Sequence, residues 1–192
     1  RVAMKLTINK DQLIGGLQAV QNIVGSRTTL PVLSNVLLRA EGNRLELTST
    51  DLDLTIISAV EANVITPGST TVPAKRFFGI VRELPTPVIE LEVDDRHVCS
   101  LQSGASWYRI HGLAAEEFPP VTRFTEENKS VFNQEVVKGM LKRTSFAMST
   151  DESRYVLNGI YYSIKEHKML MVATDGRRLA LAEADVEVSV EQ

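Results

Sequence analysis

The chain has 192 residues, 43% hydrophobic and 23% charged, with 21 basic against 24 acidic side chains and a net charge of −3. That composition fits a globular protein with an ordinary core, and no run approaches the roughly 20 apolar residues that cross a bilayer, so no membrane role is expected. The start, Arg1-Val2-Ala3-Met4-Lys5, lacks the apolar stretch of a secretory signal, with Met4 reading as the natural start, and the single cysteine, Cys99, excludes an internal disulfide framework and fits a reducing cytoplasm.

Three stretches share one plan: a short strand, a helix, then two or three alternating strands. The first opens with a strand over 4–8. Asn9 follows as N-cap of a helix over 10–24, whose Leu13, Leu17, Val20 and Val24 form one apolar stripe. Strands are predicted over 32–40, 44–49 and 53–60, with Glu41-Gly42-Asn43 as a tight turn. The second unit opens with a strand over 69–72. Its helix over 74–84 is apolar at Phe77, Ile80, Val81 and Leu84, and Pro85 and Pro87 end it. Strands over 88–93, 98–103 and 107–113 follow, turning at Asp94-Asp95 and Ser103-Gly104.

Residues 114–128 read as a connector, with Pro119-Pro120 and the acidic pairs Glu116-Glu117 and Glu126-Glu127. The third unit is predicted to open with a strand over 130–132. A helix over 133–148 turns Val136, Val137, Met140, Leu141 and Thr144 inward. Strands over 159–165, 169–174 and 178–183 follow, with a turn at Glu166-His167-Lys168, and 186–190 either opens a fourth unit or frays.

These elements predict an α+β fold of antiparallel sheets with helices on one face. A single unit leaves a sheet edge and a helix face that it cannot bury alone, so units should pair into domains. Residues 4–113 are then one domain of two units, 114–128 a connector, and 129–192 half of a second domain. The open edge of that half-domain is expected to pair with another copy, swap or stay poorly ordered.

Charge is segregated. The three predicted helices hold Lys10, Lys75, Arg76, Arg82, Lys138, Lys142 and Arg143 against Asp11, Glu83 and Glu135, while the remaining chain has 14 basic and 21 acidic residues. A basic helical layer on acidic sheets suits an anionic ligand that touches only the helices. The helices also carry Gly15, Gly16, Gly79 and Gly139, each costing about 1 kcal/mol relative to alanine. Outward glycines would let a bulky polyanion pass closely; close helix–helix packing explains them equally well.

Asp51 and Asp53 flank Leu52 and, in a strand, would share one face as a pair of carboxylates for a metal. A solvated strand face is the simpler reading, and His97, His111 and His167 show no ligand spacing. No phosphate-binding loop, dinucleotide fingerprint or nucleophile elbow is present, so neither catalysis nor a cofactor is expected. Thr174-Asp175-Gly176-Arg177-Arg178-Leu179 reads as a hairpin turn, or as a turn presenting arginines and a leucine at the lip of a groove.

Several segments together resemble the bacterial sliding clamps, the beta subunits of DNA polymerase III. They are Ser26-Arg27-Thr28-Thr29-Leu30-Pro31-Val32-Leu33-Ser34-Asn35, Thr71-Val72-Pro73-Ala74-Lys75-Arg76-Phe77-Phe78 and Phe118-Pro119, then Arg154-Tyr155-Val156-Leu157-Asn158-Gly159 and the segment from Ala173 to Ala180. The resemblance implies the DNA-clamp fold and a non-enzymatic processivity factor that encircles duplex DNA, with helices lining the hole. It implies a protomer of three similar domains that pairs into a ring, of which this chain would be a partial protomer without a third domain. A truncated relative acting as an interaction or regulatory module is the alternative. The implied partners are double-stranded DNA, the polymerase III alpha subunit, the clamp loader, other proteins carrying the clamp-binding motif, and a second subunit.

Carried over by resemblance, Arg27 and Tyr155 are DNA-facing, and the helix charges add Lys75, Arg82, Lys138 and Lys142. One wall of a partner-peptide cleft is matched by Arg154, Leu157, Thr174, Gly176, Arg177, Arg178 and Leu179. The subunit interface is matched by the segment 104–109, with Trp107 and Tyr108 beside Arg76. The chain departs from the family at Asp151, where an amide is common, at Val156, where an aromatic is common, and at Arg177, where a histidine is common.

Overall fold

The computed structural model describes residues 2–24, 30–121 and 130–187. The chain divides into two compact units, Arg1–Thr122 and Arg123–Gln192.

In the first unit β1 (Val2–Asn9) runs into α1 (Lys10–Val20), where Asn9 Oδ1 accepts from the backbone amides of Asp11 and Gln12. That cap satisfies two of the amides a helix start leaves open. The α-helix is shorter than the predicted 10–24: it passes at Val20 into a 3-10 turn, Gln21–Ile23. The buried Ser49 hydroxyl donates to the Val20 carbonyl there, so a strand side chain takes up one of the helix's last free acceptors.

Strands β2 (Asn35–Glu41), β3 (Arg44–Thr50) and β4 (Thr55–Glu61) follow. Residues 32–34, predicted as strand, instead lie in a 3-10 turn, Pro31–Ser34, begun by Pro31. β5 (Asn63–Thr66) was not anticipated, because Ala62 and Asn63 give no turn signal. β6 (Gly68–Pro73), α2 (Ala74–Glu83), β7 (Val88–Asp94), β8 (Val98–Ser103) and β9 (Ser106–His111) complete the unit. Left-handed Gly42 and Gly104 make the predicted turns possible.

The sheets exchange strands. One has the order β5-β1-β7-β8-β9 and the other β4-β3-β2-β6, all pairs antiparallel. The opening strand of each repeat therefore lies in the other repeat's sheet. β1 sits beside β7 with Asn9 opposite Val88 and Ile8 opposite Ile89. β6 sits beside β2 with Pro73 opposite Asn35 and Val72 opposite Val36. The alternate inward residues of both sheets and the apolar stripes of α1 and α2 make one core, with Met4, Leu6, Leu13, Leu38, Phe77, Leu91 and Leu101 at 0% exposure. Fully burying one such side chain contributes about 1.5–3 kcal/mol.

Cys99 belongs to this core, and burial pushes its thiol up to about 12. The first part of the predicted connector packs on the outer face of the same unit, where Phe118 closes over Val32 and Leu37.

The second unit has α3 (Gln134–Thr144), capped by the Asn133 side chain, and a sheet β10 (Tyr161–Lys165), β11 (Lys168–Thr174) and β12 (Leu179–Asp185) in that order. Met140 on the helix meets Met169, Met171 and Ala182 on the sheet. Thioether side chains fill irregular gaps well. Four expectations are corrected here. Residues 130–132 are not a strand, having no partner strand among the described residues. The helix ends at Thr144, whose hydroxyl donates back to the Met140 carbonyl at 2.9 Å, before a 3-10 turn over Ser145–Ala147. Leu141 is 41% exposed, since the inward stripe runs through Met140 and Thr144. Residues 186–187 are not strand, and the rest of the predicted last strand lies outside the described residues.

The helix glycines separate into two kinds. A Cβ on Gly16 would run into Leu47 and Val60 of the sheet, so Gly16 serves close helix–sheet packing, whereas Gly15, Gly79 and Gly139 face open space. The same substitution should therefore act in opposite directions. Gly16→Ala is expected to lower unfolding stability by about 1 kcal/mol or more, and Gly79→Ala to raise it by about 0.5–1 kcal/mol. Urea denaturation of both variants checks this, and equal shifts in one direction would contradict it. The Cys99 thiol should stay unreactive towards an aromatic disulfide at pH 8 in the native protein and react fully once urea unfolds it.

Candidate functional site

The turn between β11 and β12 is held by hydrogen bonds among its own residues. The Thr174 hydroxyl accepts from the Gly176 amide at 3.1 Å and donates to the Arg178 carbonyl at 2.7 Å. Asp175 Oδ1 accepts from the amides of Arg177 and Arg178, both at 3.0 Å, and Oδ2 accepts from Arg178 Nε at 3.0 Å. These backbone hydrogen bonds, with the Arg178 charge behind them, hold the Asp175 carboxyl below its ordinary 3.8. Gly176 has φ +86°, the left-handed conformation that glycine adopts freely.

Around the turn stand exposed groups of two kinds. Leu179 is 65% exposed and Phe146 59% exposed, and the Arg178 guanidinium lies 5.7 Å from the Phe146 ring centroid. Arg154 comes from the 3-10 segment Glu152–Leu157 and places its guanidinium against Gly176, where an added Cβ would lie 3.3 Å from it. Of the predicted cleft residues, Arg154, Thr174, Gly176 and Arg178 are thus brought together, with Leu179 closing the turn opposite Thr174. Arg177 projects exposed from its crest, and Leu157 is half-buried at the end of its 3-10 segment.

Sequence reasoning did not single out Asp175 and Phe146 as functional. The Asp-Gly turn signal was legible for Asp175; the pairing of Phe146 with Arg178 joins residues 32 positions apart and leaves no local pattern.

Asp151 begins the 3-10 segment, accepting from the Ser153 amide and hydroxyl, and its pKa is lowered by those bonds. It also lies 3.7 Å from Arg154 Nε, so part of its charge is balanced locally. Tyr155 and Val156 beside it are 79% and 74% exposed.

The first unit contains the same turn. The Thr50 hydroxyl accepts from the Leu52 amide and donates to the Leu54 carbonyl, and Asp51 Oδ1 accepts from the amides of Asp53 and Leu54. Leu52 has φ +83°, close to Gly176. This corrects the expectation that Asp51 and Asp53 share a strand face: they lie in a turn, and the Asp51 carboxylate is occupied by backbone amides. No group of three or more metal-ligating side chains occurs among the described residues.

On α2, Lys75 and Arg82 are exposed, seven residues apart, with Gly79 between them on the face opposite buried Phe77 and Val81. Arg82 lies 5.8 Å from the Phe78 ring centroid and 3.8 Å from Glu83. On α3, Lys138 and Lys142 are exposed one turn apart, beside Gly139. Arg27 lies outside the described residues.

β9 is an edge strand of its sheet, with Trp107 56% and Tyr108 40% exposed. Trp107 and Arg109 share one face, 5.1 Å from guanidinium to ring centroid. Arg76 is exposed on α2.

Residues 4–122 match the family model for the DNA polymerase III beta subunit, N-terminal domain, and residues 131–192 the model for its central domain. The chain belongs to the DNA polymerase III beta subunit family. It is 37% identical over its full length to 45% of the beta sliding clamp of Chlamydia trachomatis, and 40% identical over 94% of its length to half of that of Caulobacter vibrioides. Among solved structures, the DNA polymerase sliding clamp of Bacillus subtilis superposes with a TM-score of 0.92 at 31% identity, over 99% of this chain and 52% of that one. The clamp of Caulobacter crescentus superposes at 0.87 and 38% identity, over 96% and 51%. The chain thus spans about half the length of the curated relatives it matches.

The Asp175 pKa sets a pH expectation. Because its folded value lies below the unfolded one, the turn's stabilisation is present above the unfolded pKa and is lost as pH falls through the folded pKa. Carbon-detected NMR titration should place the Asp175 midpoint below 3.8, with the Arg177 and Arg178 amide shifts moving at the same pH. A midpoint at or above 3.8 would remove the turn's carboxylate from this role.

Proposed function

We propose that the chain is part of the protomer of a DNA-encircling processivity clamp, which performs no chemistry and tethers a replicative polymerase to its template in the bacterial cytoplasm. The observation that carries this reading is the outward face of the helices. Lys75, Gly79 and Arg82 on α2, and Lys138, Gly139 and Lys142 on α3, set cations beside glycines that open onto free space. Each such glycine sacrifices helix stability without a packing return, which is expected if a bulky polyanion passes along that face. The acidic remainder of the chain would keep the same polyanion off the sheets.

In this reading Arg27 and Tyr155 add further DNA contacts. All of them touch phosphate or sugar, so they hold duplex weakly and without sequence preference, while a closed ring supplies the retention. The Thr174 turn, with Arg154, Leu157, Gly176, Arg177, Arg178 and Leu179, forms one wall of a cleft for short apolar-anchored peptides. Its owners would be the polymerase III alpha subunit, the clamp loader and other partners. The exposed edge of β9, with Trp107, Tyr108 and neighbouring Arg76, is the surface that would meet a second subunit. Residues 4–113 would be the first clamp domain and 129–192 the first half of the second; a protein of the relatives' length would carry the rest.

Loading that longer protein onto nicked circular DNA with its clamp loader tests the proposal. Retention should be long on circles and collapse when they are linearised; equal retention on both would overturn it. Lys75→Ala and Arg82→Ala together should also flatten the dependence of DNA affinity on salt, by about 0.9 in log–log slope for each phosphate no longer neutralised.

A further inference from the structure

Residues 149–158 join the 3-10 turn after α3 to β10, and neither a strand ladder nor an α-helix holds them. What closes the segment is local. The Ser149 amide donates to the Leu157 carbonyl at 2.9 Å and the Arg154 amide to the Asp151 carbonyl at 3.0 Å. A segment whose ends meet in this way is a compact surface loop, and its shape depends on its own side chains. Asn158 stands at the neck. Its carboxamide lies between the Ser149 and Asp151 carbonyls, two acceptors that only an NH2 group can satisfy. So oriented, Nδ2 donates to them at 3.0 and 3.1 Å. The Asn158 backbone amide donates to the Tyr155 carbonyl at 3.2 Å. One residue thus ties the end of the loop both to its beginning and to its crest. The 3-10 segment kinks at Arg154 (φ −112°, ψ 48°), the residue whose guanidinium lies against Gly176.

We propose that Asn158 is the positioning residue of the candidate peptide-binding wall: by holding the neck of the loop shut, it fixes where Arg154 stands against the Thr174 turn. The inference rests on the reading of that turn as one wall of a peptide cleft. Arg154 is a long side chain, 58% exposed, with only Asp151 at 3.7 Å to steady it. Fixing its backbone before a peptide arrives removes part of the ordering cost that binding would otherwise carry. The requirement for asparagine is chemical. Aspartate has nearly the same shape but sets a carboxylate against two carbonyl oxygens, and alanine offers neither carbonyl a donor.

Asn158 is exposed and belongs to neither apolar cluster of the second unit, so its variants should keep the native circular dichroism spectrum. In the 192-residue chain, Asn158→Ala and Asn158→Asp should each lower the protection of the Ser149 amide against hydrogen exchange. With two hydrogen bonds lost, the fall should be about tenfold or more. Only Asn158→Asp should regain protection on acidification from neutral pH towards about 4. Its carboxyl can donate to one carbonyl once protonated, whereas the carboxylate repels both. Asp151 and Asp175, held below 3.8, keep their charge through that window. Glu152, Arg154 and Arg178 are common to both variants, so Asn158→Ala is the control for them. In the longer protein, Asn158→Ala should weaken a synthetic peptide carrying the alpha subunit's clamp-binding motif as much as Arg154→Ala does, and the double variant no more than either. Unchanged Ser149 protection, acid recovery in Asn158→Ala, or additive losses in the double variant would overturn the proposal. A loop that opens while Arg154→Ala leaves peptide affinity intact would overturn the wall on which the proposal rests.

Discussion

Reciprocal donation of opening strands is the constraint from which the rest of the first unit follows. β1 is chemically part of the first repeat and structurally part of the second, and β6 is the reverse. Neither sheet is complete until both repeats are present, so the core must form cooperatively. The pairing is long range, with Asn9 meeting Val88, and such contacts close only after much chain entropy has been given up. Once closed, the arrangement leaves α1 and α2 side by side with their apolar stripes buried, and Gly15, Lys75, Gly79 and Arg82 lie on exposed helix positions.

Periodicity made the helices legible, because Leu13, Leu17 and Val20 or Phe77 and Val81 bury one face against the sheets. Turn chemistry did the same for the hairpins at Gly42 and Gly104. What was not legible is what depends on partners distant in sequence. The exchange of β1 and β6 leaves no local trace, since a strand reads alike whichever sheet receives it. Residues 130–132 resemble β1 in pattern but remain irregular, because strand structure requires a neighbour. Asp51-Leu52-Asp53-Leu54 alternates like a strand; its preceding Thr50 and the Asp51 carboxylate divert it into a turn through four short-range hydrogen bonds. At the turn between β11 and β12 the arginines were readable by type, whereas the Phe146 ring beside Arg178 depends on how the chain after α3 meets the sheet.

The two units differ in how their cores are made. The first combines branched aliphatic side chains with Phe77 around two helices; the second relies on Met140, Met169 and Met171 beneath one. A methionine core tolerates rearrangement better than a jigsaw of branched residues.

The twin turns at Thr50 and Thr174 separate scaffold from lip. In each, a threonine hydroxyl and an aspartate carboxylate hold the backbone, and the third residue sits at φ +83° or +86° whether it is leucine or glycine. The residues on top differ, Leu52, Asp53 and Leu54 in one and Gly176, Arg177 and Arg178 in the other, and of these side chains Arg178 adds a bond of its own to Asp175. Such a turn behaves as an interchangeable cassette. The side chain at its crest can reverse in charge, aspartate at Asp53 and arginine at Arg177, while the frame beneath stays the same.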